Sequence, residues 1–99
     1  DQLQSHSKFL LHPNYPNPFI SSTIIGYELP EASFVRLSIY NSMGQKLEDY
    51  INTEQKPGRY SKEIQLGNYS SGIYYYTLEA RVLSSAKCYQ LTNKMVLLK

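Results

Sequence analysis

The chain reads as an all-β protein, an antiparallel β-sandwich of about six or seven short strands, and three observations carry that expectation. Ten of its 99 residues are tyrosine, none is tryptophan, and Ile, Val and Thr are plentiful, a composition that favours strands over helices. Apolar residues recur with a period of two rather than the 3.6 of a helix. Clusters of Gly, Pro, Asn and Ser interrupt them about every eight to twelve residues, the spacing of short antiparallel strands. Each alternating strand leaves one face wet, so two sheets must bury their apolar faces against each other. The length suits one domain with one core.

Residues 1–12, opening Asp1-Gln-Leu-Gln-Ser-His-Ser7, read as a polar linker, with the domain occupying 13–99. Asn14-Tyr-Pro-Asn-Pro-Phe19 follows, and its two prolines fix φ and push the residues before them toward extended conformations. The segment is expected to be stiff and nearly polyproline-like, with Tyr15 and Phe19 plugging against the sandwich, either as an anchored strap or as a docking surface. Thr23, Ile25, Tyr27 and Leu29 alternate with Ile24, Gly26 and Glu28 in a strand that Pro30 ends. Val35, Leu37 and Ile39 form the inward set of the next strand, against Phe34, Arg36, Ser38 and Tyr40. Asn41-Ser-Met-Gly44 reads as a tight turn with Gly44 free to take positive φ.

A third strand is expected from Gln45 to about Ile51. Its core contacts, Leu47 and Tyr50, lie three apart and break the alternation, which predicts a bulge or bend. Lys56-Pro-Gly-Arg59 turns the chain into a strand from Tyr60 to Leu66, with Tyr60, Ile64 and Leu66 on one face. Lys62 falls on that same face, so either its stem lies along the core edge or the strand sits at a sheet margin. Gly58 and Gly72 belong to turns, the latter closing the corner Gly67–Gly72. The longest strand runs from Ile73 to about Leu83, with Tyr74, Tyr76, Leu78 and Ala80 inward. Ser84–Lys87 then leads into a last strand from about Cys88 to Leu98.

The formal charge is +2, too small to argue for nucleic acid, but it is unevenly placed. No acid follows Glu79, whereas Arg81, Lys87, Lys94 and Lys99 do; the first 79 residues hold six basic and eight acidic side chains. A basic tail can steer an acidic partner, although salt screens that attraction beyond about 8–10 Å. Cys88 is the single cysteine, so no internal disulfide forms, and no nearby His or basic cluster would activate its thiol. His6 and His12 lie in the expected linker without a Cys or carboxylate cluster, which is no metal site and no triad. The carboxylates are scattered and no glycine loop suits a phosphate, so neither an enzyme nor a cofactor is expected. No run of about eighteen apolar residues could form a membrane helix. The N-terminus has no signal-peptide pattern, so an exported protein would need one upstream of Asp1.

The tail behaves differently from the other strands. Met95 and Leu97 alternate with Val96 and Leu98, so apolar side chains point both ways. Either both faces are covered within the domain or one waits for a partner. Lys94 and Lys99 bracket the run as gatekeepers against self-pairing. A receptor adding a strand there would read main-chain groups and alternate side-chain pockets. A last core strand and a recognition element are both compatible with this pattern.

Taken in order, Asn14–Phe19, Leu29-Pro-Glu31, Val35-x-Leu37-x-Ile39-Tyr40-Asn41-x-x-Gly44-Gln45, Gly58-x-Tyr60, Ser71-Gly72-Ile73-Tyr74-x-Tyr76-x-Leu78 and Lys94–Lys99 resemble the C-terminal sorting domains of the type IX secretion system (type A) of Bacteroidetes. The resemblance runs from about Phe9 to Lys99. It implies an immunoglobulin-like sandwich that directs an upstream cargo through an outer-membrane translocon. It also implies a sortase that cuts near the start of the domain, here in or before residues 1–12, for release or attachment to the cell surface. Lys94, Met95, Val96, Leu97, Leu98 and Lys99 would be read by the translocon, with Asn17, Pro18, Phe19, Gly44, Gly58 and Gly72 as scaffold. The sequence departs from the family at Ile20-Ser21, where Asn-Pro often follows Phe, and at Lys62, where an apolar residue is usual. Weak self-association through the terminal strand is a further expectation. The alternative is an accessory module binding carbohydrate or a cell surface through Tyr69, Tyr74, Tyr75, Tyr76 and Tyr89, since tyrosine rings stack on sugars.

Overall fold

A computed structural model of the chain describes residues 8–99; His6 and the start of the expected linker lie outside them. Seven strands make two antiparallel sheets, with no helix among the described residues. They are β1 (Leu10–Leu11), β2 (Ser22–Leu29), β3 (Ser33–Asn41), β4 (Lys46–Gln55), β5 (Gly58–Gln65), β6 (Gly72–Val82) and β7 (Cys88–Leu97). The sheets run β1-β2-β5 and β4-β3-β6-β7. The second and fifth strands pair in one layer while the third, sixth and seventh lie side by side in the other. That is how immunoglobulin-like sandwiches divide their strands.

The alternation in the sequence is the alternation in space. Ile25, Tyr27 and Leu29 from β2, Val35, Leu37 and Ile39 from β3, and Tyr74, Tyr76, Leu78 and Ala80 from β6 share one core with Ile64, Leu66, Phe19, Met95 and Leu97. Each large aliphatic buried there stabilises the fold by roughly 1.5–3 kcal/mol relative to exposure. At the corner before β6, the Tyr74 hydroxyl donates to the Ser70 carbonyl (2.6 Å), closing the turn as a tyrosine corner does in such sandwiches. Gly44 takes φ +84°, and its turn is closed by Asn41, whose side-chain oxygen accepts from Met43 N–H and Gln45 N–H.

The spacing of Leu47 and Tyr50 has a direct cause. Register slips between Leu37 and Ser38 and between Ile39 and Tyr40 leave both β4 residues as the extra ones, and both pack against the core. The bulged strand also runs past the expected end at Ile51, to Gln55. Lys62 is exposed on β5, an outer strand of its sheet, which selects the sheet-margin explanation. Strand pairing starts earlier than residue 13, because Leu10 and Leu11 pair with Glu28 and Tyr27.

Three expectations for the first third of the chain need correcting. Tyr15 does not plug the sandwich; it is 79% exposed. It bridges Ile24, an outward-facing residue of β2, and cross-strand partners share a face. Nor is the segment polyproline-like, since that conformation leaves its main chain solvated, whereas the Tyr15 N–H and carbonyl are both bonded to Ile24. Asn14 fixes its path instead, donating to Thr23 Oγ1 (3.0 Å) and to the Pro16 carbonyl (3.2 Å). Glu28 also departs from its expected wet face and is buried. The His12 ring lies over Gly26, and its Nε2 meets the Glu28 carboxylate at 2.8 Å.

Candidate recognition edge

β7 is one of the two outer strands of the four-stranded sheet. Ten consecutive residue pairs join it to β6 without a slip, from Gly72↔Leu97 to Arg81↔Cys88. Its other side is closed at one end only. Val96 N–H donates to the Asn17 side-chain oxygen (3.0 Å). Phe19 N–H donates to the Val96 carbonyl (3.0 Å), and Leu98 N–H donates to the Phe19 carbonyl (2.8 Å). Because main-chain groups alternate sides along an antiparallel strand, the same outward row includes Lys94, Thr92 and Gln90. Those three have no main-chain partner on that side among the described residues. The edge is sealed over Val96–Leu98 and open before it.

The strap that seals it runs parallel to β7. Phe9 stacks on Tyr89 with ring centroids 4.3 Å apart. Asn93 Nδ2 donates to the Leu11 carbonyl (3.2 Å) and to Tyr76 Oη (3.3 Å), and the Tyr76 hydroxyl donates to the His12 carbonyl (2.7 Å). Phe19, only 2% exposed, inserts beside Leu97 in a parallel bridge. Asn17, Phe19 and the tail are thereby brought into one unit, while Pro18 stays on the surface. Gly44 and Gly58 lie elsewhere, in separate turns. Gly72 begins β6 opposite Leu97.

Within the tail, burial divides the labour. Met95 and Leu97 are fully buried, whereas Lys94, Leu98 and Lys99 are exposed and Val96 half-buried. Lys99 is tied down on both sides, its N–H donating to Ser71 Oγ (2.9 Å) and its Nζ to the Gly67 carbonyl (2.7 Å). Asn93, Ser71 and Asn14 were not legible as members of this unit; the one hint was a lone amide at an inward position of an otherwise apolar run.

The tyrosines are dispersed rather than gathered into a platform. Tyr74 and Tyr76 are in the core, Tyr69 packs edge-on to Tyr74 (6.2 Å), and Tyr89 is stacked under Phe9. Tyr75 is exposed but lies opposite Tyr40 on one side and Lys94 on the other, cross-strand pairing that accounts for its position. Burial pushes the Tyr27 hydroxyl up to about 12 and raises that of Tyr76. Ser38 donates to Asp49 (2.5 Å) and holds that carboxyl below its usual range. No group of three or more His, Cys, Asp or Glu among the described residues is placed to hold a metal ion, and Cys88 is an exposed free thiol.

A family model described as the secretion system C-terminal sorting domain matches residues 14–95. The chain belongs to this family. It is a C-terminal sorting signal of the type IX secretion system, and the family carries with it export to the cell surface or beyond and engagement with that secretion machinery. A sorting signal has a non-catalytic role in its family. Comparison with curated proteins and with solved structures found no match.

Proposed function

We propose that the outer-membrane translocon reads this domain at the outer edge of β7, with Lys94–Lys99 as the recognition segment. The supporting observation is the half-open edge: a long outer strand, anchored through Met95 and Leu97, whose outward main-chain groups at Gln90, Thr92 and Lys94 have no main-chain partner among the described residues. Anchored residues hold the segment in a fixed register, and the exposed Lys94, Leu98 and Lys99, with the half-buried Val96, present it. An extended receptor strand pairing with such an edge gains main-chain hydrogen bonds and side-chain selectivity together. In this account a cargo upstream of Asp1 folds in the periplasm, and the domain brings it to the translocon. A surface sortase then cuts in or before residues 1–12, for release or for attachment to an anionic lipopolysaccharide.

Residues 1–99 fused behind a periplasmic reporter, in a host with the type IX machinery, test this. Deleting the tail would also remove Met95 and Leu97 from the core, so surface substitutions are the sharper probe. Lys94→Glu combined with Leu98→Asp should leave the reporter in the periplasm while the domain melts as the parent does. Surface delivery at the parental level would remove the recognition role from this segment.

A further inference from the structure

We propose that the recognised surface is composite: at the sealed end of β7 the partner reads side chains from the strap and the tail together, through an apolar pocket rimmed by carboxylates. This rests on the tail being the recognition segment. The main-chain groups of Val96 and Leu98 are occupied by Asn17 and Phe19, so a receptor cannot pair with the strand there while the strap is in place. What remains readable is the outer face. Phe19 and Leu97 point inward as neighbours, which brings the next residues, Ile20 and Leu98, side by side at the surface, 73% and 54% exposed. Val96 lies directly opposite Ile73, itself 42% exposed.

Ile20, Leu98, Val96 and Ile73 thus make a contiguous aliphatic patch drawn from three separate stretches of the chain. Such a patch on a small domain marks an interaction site more often than chance exposure. Its flanks are the cations Lys94 and Lys99, neither with a carboxylate partner among the described residues. That combination calls for an apolar hollow with an acidic rim. A bilayer fits less well, since anionic membranes are gripped by clusters of about four to eight basic residues, and two flank the patch. The departure Ile20-Ser21 gains a role here, because Ile20 supplies the most exposed member of the patch.

The test uses the same reporter fusion, with Ile20→Asp, Leu98→Asp, Lys94→Glu with Lys99→Glu, and Leu83→Asp as a control. Leu83 is 46% exposed just past β6, at the opposite end of that strand from Ile73. Surface delivery should fall by about tenfold in Ile20→Asp and Leu98→Asp alike, as for residues at the centre of an interface, and stay at the parental level in Leu83→Asp. The three aspartate variants should melt as the parent does, and the double reversal slightly below it, since it loses the Lys99 Nζ bond to the Gly67 carbonyl. The double charge reversal should lose delivery, and Lys94→Arg with Lys99→Arg should keep it. Normal delivery by Ile20→Asp alone overturns the composite surface and leaves the tail's role standing. Normal delivery by both aspartate variants removes that role too. Normal delivery by the charge reversal overturns the acidic rim. Co-sedimentation of the purified chain with phosphatidylglycerol vesicles, lost in Ile20→Asp, would replace the protein partner by a membrane and overturn the proposal.

Discussion

The two outer strands of the four-stranded sheet, β4 and β7, meet the same hazard in opposite ways. An outer strand offers unpaired main-chain groups to any passing chain, and charges, bulges or a covering segment blunt it. β4 carries Lys46, Glu48, Asp49 and Glu54 and two register slips. β7 has an unbroken register and one charged residue, Lys94. Its protection is a strap, and among the described residues the strap bonds to its main chain only at Val96–Leu98. One strand is defended by its own composition; the other is left half available. The difference teaches where a partner strand can be accepted and where it is refused.

The largest contrast should appear on truncation. Leu97→Ala or Met95→Ala, at sites with no exposure, should cost about 2–5 kcal/mol in urea unfolding. Leu47→Ala on β4, half-buried at a slip, should cost about 1 kcal/mol because little of its surface leaves water. Equal losses would erase the distinction between an anchored and a floating edge. Asn17→Ala comes next, at about 1 kcal/mol for the lost hydrogen bond to Val96 N–H. Its signature beyond stability is faster exchange at that single amide.

Alkaline pH acts on both edges. Tyr27 and Tyr50 are each pushed up to about 12, mainly by burial, and Tyr76 is raised as well. A hydroxyl whose folded value is raised holds its proton after the unfolded chain has lost it. Stability is therefore complete below the ordinary value of 10 and falls as pH rises from there toward about 12. Tyr50→Phe should flatten part of that fall, measured by unfolding at a series of pH values. The smallest effect on stability belongs to Gln90→Lys, within about 0.5 kcal/mol at a surface site. It should nonetheless weaken the concentration-dependent self-association expected of the open edge, as seen by sedimentation, because a lysine there adds a second charge to the open stretch beside Lys94.

Much of this was legible in the sequence because two-residue alternation and turn residues are local signals. The strand faces of β2, β3 and β6 follow from them, and the Leu47–Tyr50 spacing announced the slips in β4. What stayed hidden depends on partners distant in sequence. Glu28 is buried because His12 reaches it across sixteen residues. Tyr15 points outward because Ile24 is its partner, which no pattern within Asn14–Phe19 specifies. The union of strap and tail joins residues 79 apart. Lys94–Lys99 could be picked out as unusual, but not that half of its edge is closed from the other end of the chain.

Amide hydrogen exchange along β7 tests the half-open edge most directly. Val96 and Leu98, bonded to the strap, and Met95, Asn93 and Leu91, turned toward β6, should all be protected. Gln90, Thr92 and Lys94 should exchange far faster, in an alternating pattern that stops at Val96. Uniform protection from Gln90 through Leu98 would mean that the whole edge is covered, and strand addition at β7 would then have no place to occur.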